Sequence, residues 1–294
     1  MNRKEQHFPN TIPELAKILR ISVKELRHFL YYIDKHVIFE YQLKPKGDYR
    51  KITKPSKRLK LILRRLNDEI FKKIPLHPLL FHQPGKSHID LIKKHIGKGY
   101  ILTADIDDFY PSVHINKLKE SLKSVGFSDK ILKTLTRITT VDYSLPQGFP
   151  TSPYLAAIIL EPVISRLDGL SKKTNLTIGL YADNLAVSST YNPQYFKRLL
   201  IKIFKQNSLS LGKFEIMTHD DQQVIMNVIV QGKIIKVKTS YIETIKKELN
   251  DLSLKPPKGN MRSTMGKIRY VYQINKEQAD NILKYGKKVG VIFN

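Results

Sequence analysis

Two apolar segments of this chain each run straight into a carboxylate, and that pairing limits the fold more than any other feature. In TIGLYADNLAVSS, Thr177 to Ser189, Asp183 is the only acid in a stretch with the look of a buried strand, and Asn184 follows it. In GYILTADIDDFYPSVH, Gly99 to His114, a second apolar strand meets Asp105, Asp107 and Asp108. Strand side chains alternate, so Asp105 and Asp107 share one face while Asp108 starts a turn. A buried, unpaired carboxylate costs several kcal/mol or gives up its charge. Either aspartate alone is accounted for by a turn cap or a neighbouring lysine. The two together are better accounted for by divalent cations between them, because hard oxygen ligands suit Mg²⁺ held jointly with substrate phosphates.

Charge narrows what such a site acts on. The 294 residues carry 51 Lys+Arg against 26 Asp+Glu, a net charge of +25, of the sign that phosphate backbones attract. The cations cluster, as in KITKPSKRLKLILRR and KYGKKVG, so nucleic acid is the expected partner. A hydrophobic fraction of 41% supports a sizeable core in one large domain or two small ones. Cysteine is absent, which excludes a disulfide framework and a thiolate metal site. The opening MNRKEQHFPN has no apolar leader core and no run is long enough to cross a bilayer, so the expectation is a cytoplasmic protein with no membrane partner.

Periodicity orders the rest. Residues 11–35 repeat apolar side chains at helical spacing, with Ser22 placed to cap a second short helix. FEYQLKPKGDYRKITKP reads as a basic hairpin turning at Gly47, and SKRLKLILRRLNDEIFKKI as an amphipathic helix. Helices are expected at INKLKESLKSV and SDKILKTLTRITT, then a loop, LPQGFPTSP, then one long apolar helix from about Ser152. NPQYFKRLLIKIFKQNSLSL reads as a further helix, and VIMNVIVQGKIIKVK as a hairpin turning at Gln231-Gly232. From about Lys236 the chain is polar, basic and helical around a Pro-Pro-Lys-Gly break. The expected division is a helical extension over 1–38, a main domain over 39–235 and a smaller one over 236–294.

DIDDFYPSV, LPQGFPTSP and YADN occur in the order and at the spacing of three palm motifs of bacterial reverse transcriptases. The chain resembles most closely their retron, group II intron and antiphage-defence branches. The resemblance implies an α+β right-hand polymerase fold with fingers, a palm built on an antiparallel sheet, and a small helical thumb. It departs from the retron pattern at DLIKKH, ending at His95, and at Val230-Gln231-Gly232.

The resemblance implies an RNA-directed DNA polymerase that uses two Mg²⁺ ions, with Mn²⁺ able to substitute. Asp105, Asp183 and the backbone carbonyl of Ile106 would hold them. Arg50, with Lys44 or Lys46, and the backbone near Asp108 and Phe109 would meet the triphosphate of an incoming dNTP. Tyr110 would pack under its sugar and exclude a 2′-hydroxyl. Gln147 and Gly148 would border the nucleotide, Tyr181 the primer, and Lys213 would be the lysine of the next palm motif. The implied partners are a structured non-coding RNA template, the DNA product and an effector protein from a neighbouring gene.

Asn184 stands where this family carries a second aspartate. A neutral amide is a poorer ligand for a hard cation, so weaker metal binding or slower chemistry is expected. The alternatives are a catalytically reduced RNA-binding scaffold, and template-independent or protein-primed DNA synthesis on the same fold.

Overall fold

The computed structural model describes residues 8–43, 47–254 and 256–293. Thr11 and Ser22 accept hydrogen bonds from the N–H groups of Glu14 and Glu25, and these caps start α1 (Ile12–Leu19) and α2 (Val23–Tyr31). β1 (Val37–Leu43) and β2 (Tyr49–Pro55) pair antiparallel, and Ser56 then caps α3 (Lys57–Glu69). A short α4 (His88–Lys93) precedes β3 (Tyr100–Ile106) and a single turn, α5 (Phe109–Ser112). The helices α6 (Ile115–Val125) and α7 (Asp129–Thr139) follow.

The single long helix expected from Ser152 is two helices, α8 (Ser152–Ile159) and α9 (Glu161–Thr174). Pro162 lies in the first turn of α9, where its missing N–H is harmless, but its ring blocks continuation from α8. The N–H of Leu160 is shared between the carbonyls of Ala156 and Ala157 at 3.1 and 3.2 Å, the tightened last turn of an ending helix.

β4 (Thr177–Tyr181), β5 (Asn184–Ser189) and, after α10 (Lys197–Lys205), β6 (Leu211–Thr218) complete the main sheet, whose order is β4-β5-β3-β6 with its strands paired antiparallel. A second sheet of β7 (Gln223–Ile225), β8 (Val228–Gln231) and β9 (Ile234–Val237) precedes α11 (Thr239–Ser253), α12 (Met261–Ile274) and α13 (Lys276–Lys288). No helix among the described residues is long and apolar enough to cross a membrane.

Two hydrophobic cores follow from this layout. The larger joins Leu15, Leu66, Leu132, Leu155 and Leu167 to the main sheet through Leu102, Ile178 and Val187. The smaller joins Val228, Val230 and Val237 to Ile245, Ile268 and Ile282 of the C-terminal helices, and to Ile101 and Ala186 of the main sheet. The boundary expected after residue 235 falls inside β9, and the small sheet shares its core with the helices that follow it.

His95, which ends DLIKKH, is fully buried, with Nδ1 2.7 Å from the Ser188 hydroxyl on β5. Burial, with help from Lys98 and Lys94, pushes its imidazole down to about 3. The unfolded chain therefore binds a proton below about 6.5 that the folded chain refuses until about 3. Stability is expected to be full above pH 6.5 and to fall by about 1.4 kcal/mol per pH unit on acidification from this group. Denaturant midpoints measured from pH 7 to pH 4 should fall less steeply for His95→Gln.

Candidate active site

The main sheet brings the two carboxylate strand ends together. Asp105 on β3 pairs with Asn184, the first residue of β5, and on the other side with Gly212 of β6. Tyr181 pairs with Asn184, so Ala182 and Asp183 form a two-residue hairpin turn, with Ala182 at φ +52°. That left-handed backbone is unfavourable for a residue with a Cβ, and such strain gathers at functional sites. The N–H of Ile106 donates to the Asp183 carbonyl at 2.8 Å, locking the turn against β3.

Electrostatics single out Asp183. Burial pushes its carboxyl above the usual range, and the charge of Asp105 pushes it further. Lys213 and a hydrogen bond from Asn184 Nδ2 to Asp183 Oδ1, at 2.8 Å, pull the other way. Lys213 Nζ donates to Asp105 Oδ2 at 3.1 Å, and that bond holds its ammonium above its ordinary value. A register shift between Thr103 and Asp105 and a φ of +48° at Lys213 mark the local bulge from which this side chain reaches Asp105.

The pair fits a divalent cation. One carboxylate is penalised by burial beside like charge, and the other already draws an ammonium. No group of three His, Cys, Asp or Glu side chains is gathered here or elsewhere among the described residues.

Tyr110 lies on α5, half-buried, its ring 5.6 Å from that of the buried Phe109. Burial, then Asp183 and Tyr181, pushes its hydroxyl up to about 12, so Tyr110 presents a neutral phenol within the field of both. Asp108 precedes α5 in the left-handed region, at φ +39°, with its side chain exposed and making no capping hydrogen bond.

The LPQGFPTSP loop meets the β1–β2 hairpin. The N–H of Thr53 on β2 donates to the Gln147 carbonyl at 2.7 Å. Gly148, at φ +120°, has the Thr53 carbonyl 2.6 Å from where a Cβ would lie. The close approach that Gly148 allows in this structure is to the β2 backbone. Gly148→Ala is expected to destabilise the fold by about 2–4 kcal/mol, from strain and clash together, as read by urea denaturation. Arg50 is exposed on β2 opposite Gln42 and makes no ion pair among the described residues. Lys44 and Lys46 lie outside the described residues.

A cavity of about 280 Å³ opens on the site, lined among others by Asp105, Asn184, Lys213, Glu215, Met226 and Asn227. The last two turn between β7 and β8 with φ +46° and +66°. Sequence reasoning missed this hairpin because Met-Asn lacks the glycine that usually marks such a turn. It also missed His82, whose ring meets Tyr181 edge-on at 5.0 Å and which senses the charge of Asp183.

An antiparallel sheet with two carboxylates at adjacent strand ends, packed on a helical layer, is the arrangement of the right-hand polymerases. Residues 42–219 match the reverse transcriptase (RNA-dependent DNA polymerase) family, and the chain belongs to it. It is 32% identical over 183 residues to the Retron Ec86 reverse transcriptase of Escherichia coli, covering 61% of this chain and 57% of that protein. Against the Retron Mx65 and Mx162 reverse transcriptases of Myxococcus xanthus it is 28% identical over 201 and 218 residues. Those matches cover 60% and 64% of this chain, which spans about half the length of the two relatives, 47% and 45%.

Proposed function

We propose that this chain is an RNA-directed DNA polymerase that extends a primer with deoxynucleotides on an RNA template. The observation that carries the reading is the junction of Asp105, Asp183 and the Ile106 backbone at the strained Tyr181–Asn184 turn. Membership of the reverse transcriptase family supports the reaction class. Asp105 and Asp183, with the Ile106 carbonyl, would hold two Mg²⁺ ions. Bound there, the ions would supply activation of the primer 3′-hydroxyl and neutralisation of the leaving pyrophosphate.

The protein's own groups do the positioning. Lys213 sets a compensating ammonium against Asp105. Arg50 would close on triphosphate oxygens as a fork donor, joined by Lys44 or Lys46. The backbone at Asp108 and Phe109 would meet the phosphates, Gln147 would border the nucleotide, and Tyr181 the primer end. The Met226–Asn227 turn, which lines the cavity shared with Asp105 and Lys213, would bound the primer there.

Tyr110 would exclude ribonucleotides by filling the space of a 2′-hydroxyl. Tyr110→Ala should lower the dNTP-over-rNTP ratio of kcat/KM by about 10- to 100-fold, chiefly by raising rNTP use. Single-nucleotide incorporation on a defined RNA template with Mg²⁺ measures this, and an unchanged ratio would remove Tyr110 from sugar selection.

The names of the relatives support a retron-like setting. A dedicated structured non-coding RNA as template, and a role in antiphage defence beside an effector protein, belong to the same proposal. Sequencing the nucleic acid that co-purifies with the protein tests that assignment: one abundant RNA carrying complementary DNA is expected, and a random RNA population would count against it.

A further inference from the structure

We infer that the cavity beside Tyr181 is a sugar–phosphate subsite that selects an RNA strand over DNA, with Asn67 and His82 reading the 2′-hydroxyl. The inference rests on the polymerase reading above and specifies how its nucleic acid is recognised.

The cavity measures about 440 Å³ and lies between α3, the His82–Lys86 segment, the end of the LPQGFPTSP loop, and Tyr181. It therefore adjoins the catalytic turn without being the metal site. Among the described residues, the buried side-chain polar atoms that lack a hydrogen-bond partner include Asn67 Oδ1 and His82 Nδ1, and both residues line this one cavity. Buried polar atoms are nearly always paired, so two orphans on residues that line one cavity call for a partner that reaches in from it.

The orientation of each group is constrained. Asn67 Nδ2 donates to the Pro150 carbonyl at 3.1 Å, which leaves Oδ1 as an unused acceptor. The His82 ring stands edge-on to Tyr181, and burial holds its imidazole below the usual value, hence neutral, with one nitrogen donating and the other accepting. Lys72 and Lys86 also line the cavity. Lys72 donates to Asp68 and Lys86 to the Pro78 carbonyl, and an ammonium has three donors.

A ribose phosphate matches this set. Its phosphate takes the remaining lysine donors. Its 2′-hydroxyl donates to Asn67 Oδ1 and accepts from His82 Nδ1, since that group is both donor and acceptor. A deoxyribose leaves both protein atoms unpaired, and a site built to bond a hydroxyl rejects the analogue that lacks it.

The test is equilibrium binding, by fluorescence anisotropy, of one DNA primer annealed to an RNA template or to a DNA template of the same sequence. Wild type should bind the RNA-containing duplex at least ~10-fold more tightly. His82→Phe keeps a ring against Tyr181, and Asn67→Leu keeps the volume. Each should lose at least ~5-fold more affinity for the RNA-containing duplex than for the DNA duplex, closing the gap. A scan of single 2′-deoxy substitutions along the template, read on wild type, should reproduce the loss at one position, and decides the matter should either variant fold poorly. Equal weakening of both duplexes, or a scan with no sensitive position, overturns the subsite. Wild type that prefers the RNA duplex yet never incorporates a nucleotide overturns the polymerase reading and upholds the subsite. Failure to bind either duplex overturns both.

Discussion

Asp183→Asn is expected to lower nucleotide incorporation by at least ~1000-fold, about 4 kcal/mol of barrier, while making the metal-free protein more stable. Both effects come from the same burial. The carboxyl of Asp183 is held above its ordinary value by desolvation, and the charge of Asp105 adds to this. A group whose native proton affinity exceeds its unfolded one stabilises the fold at low pH, and that contribution is lost as pH rises through the native value. At neutral pH the charged carboxylate therefore works against the fold, and a neutral amide removes the penalty while still accepting the hydrogen bond from Asn184 Nδ2. Melting in the presence of a chelator should move up and single-turnover incorporation should move down. A fall in both would mean that Asp183 is held for structure.

Asn184→Asp should act in the reverse sense. It places a further carboxylate on the strand that pairs with Asp105, in the cavity that also holds Lys213 and Glu215. Divalent-ion affinity is expected to rise by about 10- to 100-fold, and incorporation at limiting Mg²⁺ to rise with it. The metal-free protein should become less stable, because the Asn184–Asp183 hydrogen bond is replaced by repulsion between adjacent carboxylates. Mn²⁺ titration followed by electron paramagnetic resonance reads the affinity without requiring turnover. An unchanged affinity would mean that position 184 does not face the ions.

How much of this was legible depended on the range of the signal. The cap at Ser22 acts over three residues and was legible in the sequence. The apolar strand ends at Asp105 and Asp183 were legible because an acid in a buried strand is costly wherever it occurs. The break at Pro162 was missed because the apolar pattern runs through it, although the proline itself was the available signal. Lys213 could be placed only loosely, since its reach to Asp105 depends on a bulge between strands. The role of Gly148 depends on Thr53, and the cavity pairing of Asn67 with His82 on tertiary packing, neither of which leaves a periodic trace.

The most direct measurement is Mg²⁺-dependent extension of a DNA primer on an RNA template of mixed sequence, run in parallel for the chain as it stands, Asn184→Asp and Asp183→Asn. The account predicts products that follow the template sequence, most for Asn184→Asp, fewer for the unaltered chain and none for Asp183→Asn. Absence of product in all three, with RNA binding intact, would contradict it.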